Sequence, residues 1–147
     1  MTAQMMRGLI RLVESHTSDQ WITASEDELR EYAALVRGDN DDGSPAYFDP
    51  EEGSWRYEPE FPLSKFTHIM SAAKWRKWIK EEIASFIGQY GHDRGYTDMM
   101  TQEIVEPIVI SIYEGQVHVW DGFHRIGISF AKGAKTIKAV VGTPPET

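Results

Sequence analysis

EPIVISIYEGQVHVWDGFHRIGISFAKGAKTIKAVVG, residues 106–142, carries in one continuous run the signals of two strands, a glycine turn, a helix and a further strand. Ile108 to Tyr113 is strand-forming, and Glu114-Gly115 is a hairpin turn signal. Gln116 to Trp120 then alternates, so that Val117 and Val119 face one way and Gln116, His118 and Trp120 the other. From Trp120 the chain passes through Asp121-Gly122 into a helical pattern running from about Phe123 to Lys132 and closed by Gly133. Ile126, Phe130 and Ala131 fall on one side of it, and Arg125, Ser129 and Lys132 on another, with Gly127 expected to permit close packing on the sheet. Thr136 to Val141 is a last strand. The fold class predicted is α+β.

A strand, a glycine turn and a helix start in that order suit an anion, because unpaired N–H groups and the helix dipole both favour negative charge there. Gly122 lets the backbone approach a phosphate, Arg125 can offer a bidentate guanidinium, and His124 can donate a ring N–H. Phe123 and Ser129 complete the candidate phosphate-binding set. Asp121 can hold Mg²⁺ bridging the phosphates of a nucleoside triphosphate, or act as a base, which makes Asp121, His124 and Arg125 the candidate catalytic residues. In the alternative, Asp121 caps the helix while His124 and Arg125 bond neighbouring strand ends, and the turn is structural.

The segment 106–142 resembles the core of the ParB/sulfiredoxin superfamily, whose members show strand, hairpin, strand, a G-x-[HR]-R turn, helix and strand. It covers about a quarter of the chain. The resemblance implies a small mixed sheet packed with helices and nucleotide phosphates bound at the turn. Family activities include nucleotide hydrolysis, phosphoryl transfer and nuclease action. Gly122, His124 and Arg125 match the pattern, and Asp121 gives the DG-x-HR form of some DNA-associated members. Phe123 departs from it, since sulfiredoxins place cysteine there and chromosome-partitioning proteins place glutamate. Binding therefore carries over better than catalysis.

At 147 residues and 41% hydrophobic, the chain suits one compact unit: a helical region and acidic aromatic loop over 1–60, and the ParB/sulfiredoxin-like domain over 61–147. No apolar run approaches the ~18 residues of a membrane span, and MTAQMMRGLIRLVESH is too short and polar for a secretory signal, so a cytoplasmic protein without membrane contact is expected. With no cysteine, disulfides and thiolate chemistry are excluded, the sulfur chemistry of sulfiredoxins included. No helical His-x-x-x-His pair supports a zinc site. The net charge of −8 excludes a uniformly basic nucleic-acid binder. Its placement is uneven, with twelve acids and three bases over 26–60 and five bases without an acid over 65–80.

A weak helical pattern covers 4–14, and a strong one 26–37, where Ser25 and Glu28 make a capping box and Leu29, Tyr32, Ala33 and Val36 a stripe. Residues 39–62 read as a long aromatic loop that packs down and can act as a lid. Asp39, Asp41 and Asp42 fail the EF-hand spacing. Over 71–90 the longest helix aligns Trp75, Ile79, Ile83, Phe86, Ile87 and Tyr90 as its core face. Trp78 falls outside that stripe beside Lys74 and Lys77, where it can stack a base of single-stranded nucleic acid or a nucleotide, or contact a protein partner. Alternatively the acidic loop covers it. His118 and the 92–94 loop are weaker candidates for the site. Three functions stay open: a Mg²⁺-dependent phosphotransferase or nucleotide hydrolase, a non-catalytic nucleotide- or partner-binding module, and a nuclease or DNA-associated accessory protein using the basic stretch 65–80.

Overall fold

The computed structural model describes residues 19–37, 44–92 and 95–145. The pattern at 4–14, the aspartates at 39, 41 and 42, and Asp93 and Arg94 lie outside these. In chain order the elements are α1 (Asp19–Ile22), α2 (Glu26–Val36), β1 (Ser54–Pro62), α3 (Ala72–Tyr90), α4 (Tyr96–Thr101), β2 (Ile108–Tyr113), β3 (Gln116–Asp121), α5 (Phe123–Ala131) and β4 (Thr136–Thr143). Short 3-10 turns lie at Pro50–Glu52 and Leu63–Phe66. The chain is an α+β protein, with helices on a four-stranded mixed sheet of order β1-β4-β2-β3. β4 pairs antiparallel with β1 and parallel with β2, while β2 and β3 form an antiparallel hairpin. No helix among the described residues is long and apolar enough to cross a membrane.

The apolar run of β2 is what a strand covered on both faces requires. Ile108 and Ile110 enter one core, with Phe66, Trp75, Val117, Val119, Ile126 and Phe130. Val109 enters the other, with Trp21, Leu29, Tyr32, Phe48, Trp55 and Trp120. The sheet is thus sandwiched between an α3–α5 layer and a layer built from α1, α2 and the segment before β1. Beneath β2 and β3 two polar side chains are paired inside the second core: the Trp120 indole N–H reaches Ser111 Oγ at 3.0 Å, and the Ser111 hydroxyl donates to the Ala46 carbonyl. The hairpin turns on Glu114 and Gly115, both at positive φ as a two-residue connection demands.

The predicted capping box is present at Ser25 and Glu28, and the alternation of β3 is as read, with Val117 and Val119 in one core and Trp120 in the other. The loop or lid read over 39–62 is corrected. Ser54–Pro62 is an edge strand, and Tyr47, Phe48, Trp55 and Tyr57 pack into or against the second core. The reason is a bulge: pairing with β4 shifts between Glu58 and Phe61, so Trp55 and Phe61 serve opposite cores although their even spacing suggests one face. The strand also lies across the boundary drawn at residue 60.

Two further readings change. Gly127 faces α3 rather than the sheet, since a Cβ there would lie 2.9 Å from Ile79 Cβ and 3.2 Å from Trp78 Cζ3. The core stripe of α3 is only half used. Trp75 and Ile79 are buried, whereas Ile87 and Tyr90 are 44% and 56% exposed. At about 1.5 Å per residue the 19-residue α3 outruns the 9-residue α5 that it packs on.

Gly142 of β4 lies opposite Trp55, and a Cβ there would come within 2.6 Å of the indole ring. Gly142→Ala is expected to lower unfolding free energy by about 2 kcal/mol through overpacking. Denaturant titration with an unchanged slope is the check.

Candidate functional site

The end of β3 decides where the glycine turn points. Val109 pairs with Asp121 and Ile110 with Val119, which leaves Trp120 as the extra residue of a bulge. Gly122 then takes φ 116, and a Cβ on it would approach Ile108 Cβ to 2.8 Å, so only glycine fits. Gly122 is also the N-cap of α5, and no side chain caps the helix. Its opening turn borders a cavity of about 530 Å³ lined by Tyr96, Met99, Glu106 and Trp120 through Arg125.

Arg125 is turned inward, its side chain only 13% exposed. Nη2 donates to Asp121 Oδ2 at 2.6 Å, and Nη1 donates to the carbonyls of Pro107 at 2.8 Å and Glu106 at 3.0 Å. Asp121 therefore does not cap the helix; it neutralises Arg125, and Arg125 does bond the chain entering β2. Burial by itself favours loss of the guanidinium proton, but Tyr32, Asp121 and Glu106 outweigh it and hold the group above its ordinary pKa. The Tyr32 hydroxyl lies 2.9 Å from the Pro107 carbonyl oxygen, and burial pushes its pKa well above the tyrosine range, with Arg125 pulling it part of the way back.

The remaining candidates separate. His124 is held between rings, parallel to Tyr96 at 5.2 Å and 6°, and 5.2 Å from Trp78, with Nε2 3.4 Å from Glu82 Oε2. Phe123 stacks on Trp75 at 5.9 Å and stays 42% exposed at the cavity. Ser129 donates to the Arg125 carbonyl and lines a second, smaller cavity of about 160 Å³ instead. Trp78 is half-buried against Trp75, Phe123 and His124, so α5, and not the acidic loop, covers it. Lys74 and Lys77 are exposed, Lys77 standing 4.0 Å from Glu81. His118 sits between Tyr47 and Tyr113, and His92 beside Phe86, both outside the cavity lining.

Sequence reasoning missed Tyr32, Tyr96, Met99 and Glu106. Tyr32 stood on the apolar stripe of α2 and carried no further signal, and Glu106 is marked only by its place before Pro107. The segment behind α4 is tied down by two lysines. Lys132 Nζ donates to the Gln102 carbonyl at 2.6 Å, and Lys138 bonds the Glu103 carboxylate and the Ile104 carbonyl. Among the described residues, no group of three or more His, Cys, Asp or Glu side chains is placed to hold a metal ion. Asp121 can still supply one oxygen to a Mg²⁺ that a phosphate ligand shares, since Mg²⁺ takes about one or two carboxylates and completes its shell with water and phosphate. Compared with protein-family models, curated proteins and solved structures, the chain matches none.

Arg125→Ala takes the guanidinium donors from Asp121 and the Glu106 carbonyl and leaves the Pro107 carbonyl to Tyr32 alone, and is expected to cost about 3 kcal/mol, seen as a lower melting temperature and denaturation midpoint. Tyr32 sets an alkaline limit. Its folded pKa is raised above the ordinary 10.0, so its contribution is complete below pH 10 and is lost as pH rises toward the folded value. Stability should therefore fall above pH 10, and Tyr32→Phe should flatten the fall, by about 1.4 kcal/mol for each pH unit. Equal slopes in the two proteins would contradict this.

Proposed function

We propose that the chain is a nucleotide-phosphate-binding protein of the ParB/sulfiredoxin type, with the phosphate at the amino end of α5. The observation that carries this reading is the uncapped helix start at Gly122, placed on a cavity large enough for a nucleotide. The amides of Phe123, His124 and Arg125 are the phosphate donors. Arg125 adds fixed positive charge from behind, through a guanidinium already committed to the fold. Tyr96, Met99 and Phe123 give the cavity an apolar side for a base, and His124 adds a ring N–H at the rim.

Binding without turnover fits this arrangement best, because Phe123 brings no acid, base or nucleophile and Arg125 is not at liberty to follow a moving phosphoryl group. One observation favours a Mg²⁺-dependent phosphotransferase or hydrolase as second reading: Asp121 and Glu106 both line the same cavity as the helix start. A bound Mg²⁺ would be held by Asp121 and would screen the phosphates from both carboxylates. A nucleic-acid role through Lys74, Lys77 and Trp78 has less support, since the tryptophan is packed against α5.

The test is calorimetry and thermal shift of the wild type and His124→Glu against ATP, CTP, GTP and their Mg²⁺ complexes, with product analysis. The variant sets a carboxylate beside the helix start, so binding in the wild type should be lost in it while the fold persists. A ligand at about 100 times its Kd stabilises by about 2.7 kcal/mol. Product formed over hours selects the enzyme, and none selects the binder. A wild type that no nucleotide stabilises contradicts the proposal.

A further inference from the structure

Helix α2 meets a residue of the cavity wall, Glu106, through Tyr32. Tyr32 is completely buried, with its ring edge-on to Trp21 at 4.8 Å. Its hydroxyl lies 2.9 Å from the Pro107 carbonyl oxygen and 3.1 Å from Glu106 Oε1. The single hydroxyl proton serves one of these acceptors at a time. Arg125 Nη1 donates to the same Pro107 carbonyl. Glu106 is exposed and lines the cavity, so the carboxylate that Tyr32 holds is one that a ligand meets. Phenylalanine would fill the packing space equally well. The hydroxyl serves the network alone.

We propose that Tyr32 is a positioning residue for the site: it fixes the Arg125 guanidinium and orients the Glu106 carboxylate, which makes the α1–α2 layer part of the ligand-binding apparatus. This rests on the phosphate reading only for what enters the cavity. With Tyr32→Phe, Glu106 loses the donor that holds it, and the Pro107 carbonyl that Arg125 bonds loses its second donor. Both groups then sample other arrangements in the cavity wall, although the hydrophobic layer stays filled.

The experiment is ¹⁵N NMR of the Arg125 side chain in the wild type, Tyr32→Phe and Leu29→Val, the last a control that loosens packing in the same helix without touching the network. Guanidinium protons held as in the wild type exchange slowly with water and give resolved signals. Loss of those signals in Tyr32→Phe with their retention in Leu29→Val is the expected result. Retention in both variants, or loss in both, overturns the proposal. Magnesium ATP is the ligand probe, and its Kd should rise about tenfold in Tyr32→Phe, the value of one lost hydrogen bond. An unchanged Kd overturns the role of Tyr32 in binding. Should magnesium ATP fail to bind the wild type, the phosphate reading falls, while the guanidinium comparison still decides whether Tyr32 positions Arg125.

Discussion

A guanidinium kept out of water must be neutralised and hydrogen-bonded, or it costs several kcal/mol, and Arg125 meets that requirement in a network with groups from three parts of the chain. Asp121 comes from the end of β3, the two carbonyls from the approach to β2, and Tyr32 from α2. Each partner has to arrive in place for the charge to be tolerated. The bulge at Trp120, the positive φ of Gly122 and the docking of α2 are therefore linked through one cation. Around it the two cores lie on opposite faces of the sheet, and β2 belongs to both.

The same constraint separates two tasks that a short turn could have confused. Arg125 spends its donors on the fold, and Asp121 spends one oxygen on Arg125. The helix start is left uncapped because glycine, not serine or aspartate, precedes it. The interior side chains thus hold the turn, and the backbone amides of the helix start are left without a side-chain cap beside the cavity. Preorganised amides of this kind need no rearrangement when an anion arrives. The rings of Tyr96 and His124 line the same cavity, and the lysine ties behind α4 hold the segment that lines the second, smaller one.

The run from Ile108 to Val141 was legible in the sequence because each element there depends on its neighbours: a two-residue hairpin, strict alternation, and a glycine before an apolar helix. β1 was hidden by a bulge that moves Phe61 to the face opposite Trp55, which destroys the period that a reader would follow. Trp78 fell outside the core stripe, open to a base or to cover by the acidic loop, because a helical wheel assumes one partner surface, whereas α3 meets both the sheet core and the start of α5. Asp121, Gly122 and Arg125 were found as a motif, but their bonding was not. Two of the acceptors of Arg125 are backbone carbonyls, which leave no residue-type signal, and Tyr32 is 74 residues from Glu106. The α+β class follows from pattern; the division of labour at the turn follows from tertiary contact.

The most direct measurement is a ¹H–¹⁵N titration of the wild type with magnesium ATP and magnesium CTP, following backbone amides and the Arg125 side chain together. An anion captured by the helix start should shift the amides of Phe123, His124 and Arg125 most, while the Arg125 guanidinium signals should exchange at the same rate with and without ligand. Shifts confined to Lys74, Lys77 and Trp78, or a guanidinium that leaves Asp121 for the ligand, would contradict the account.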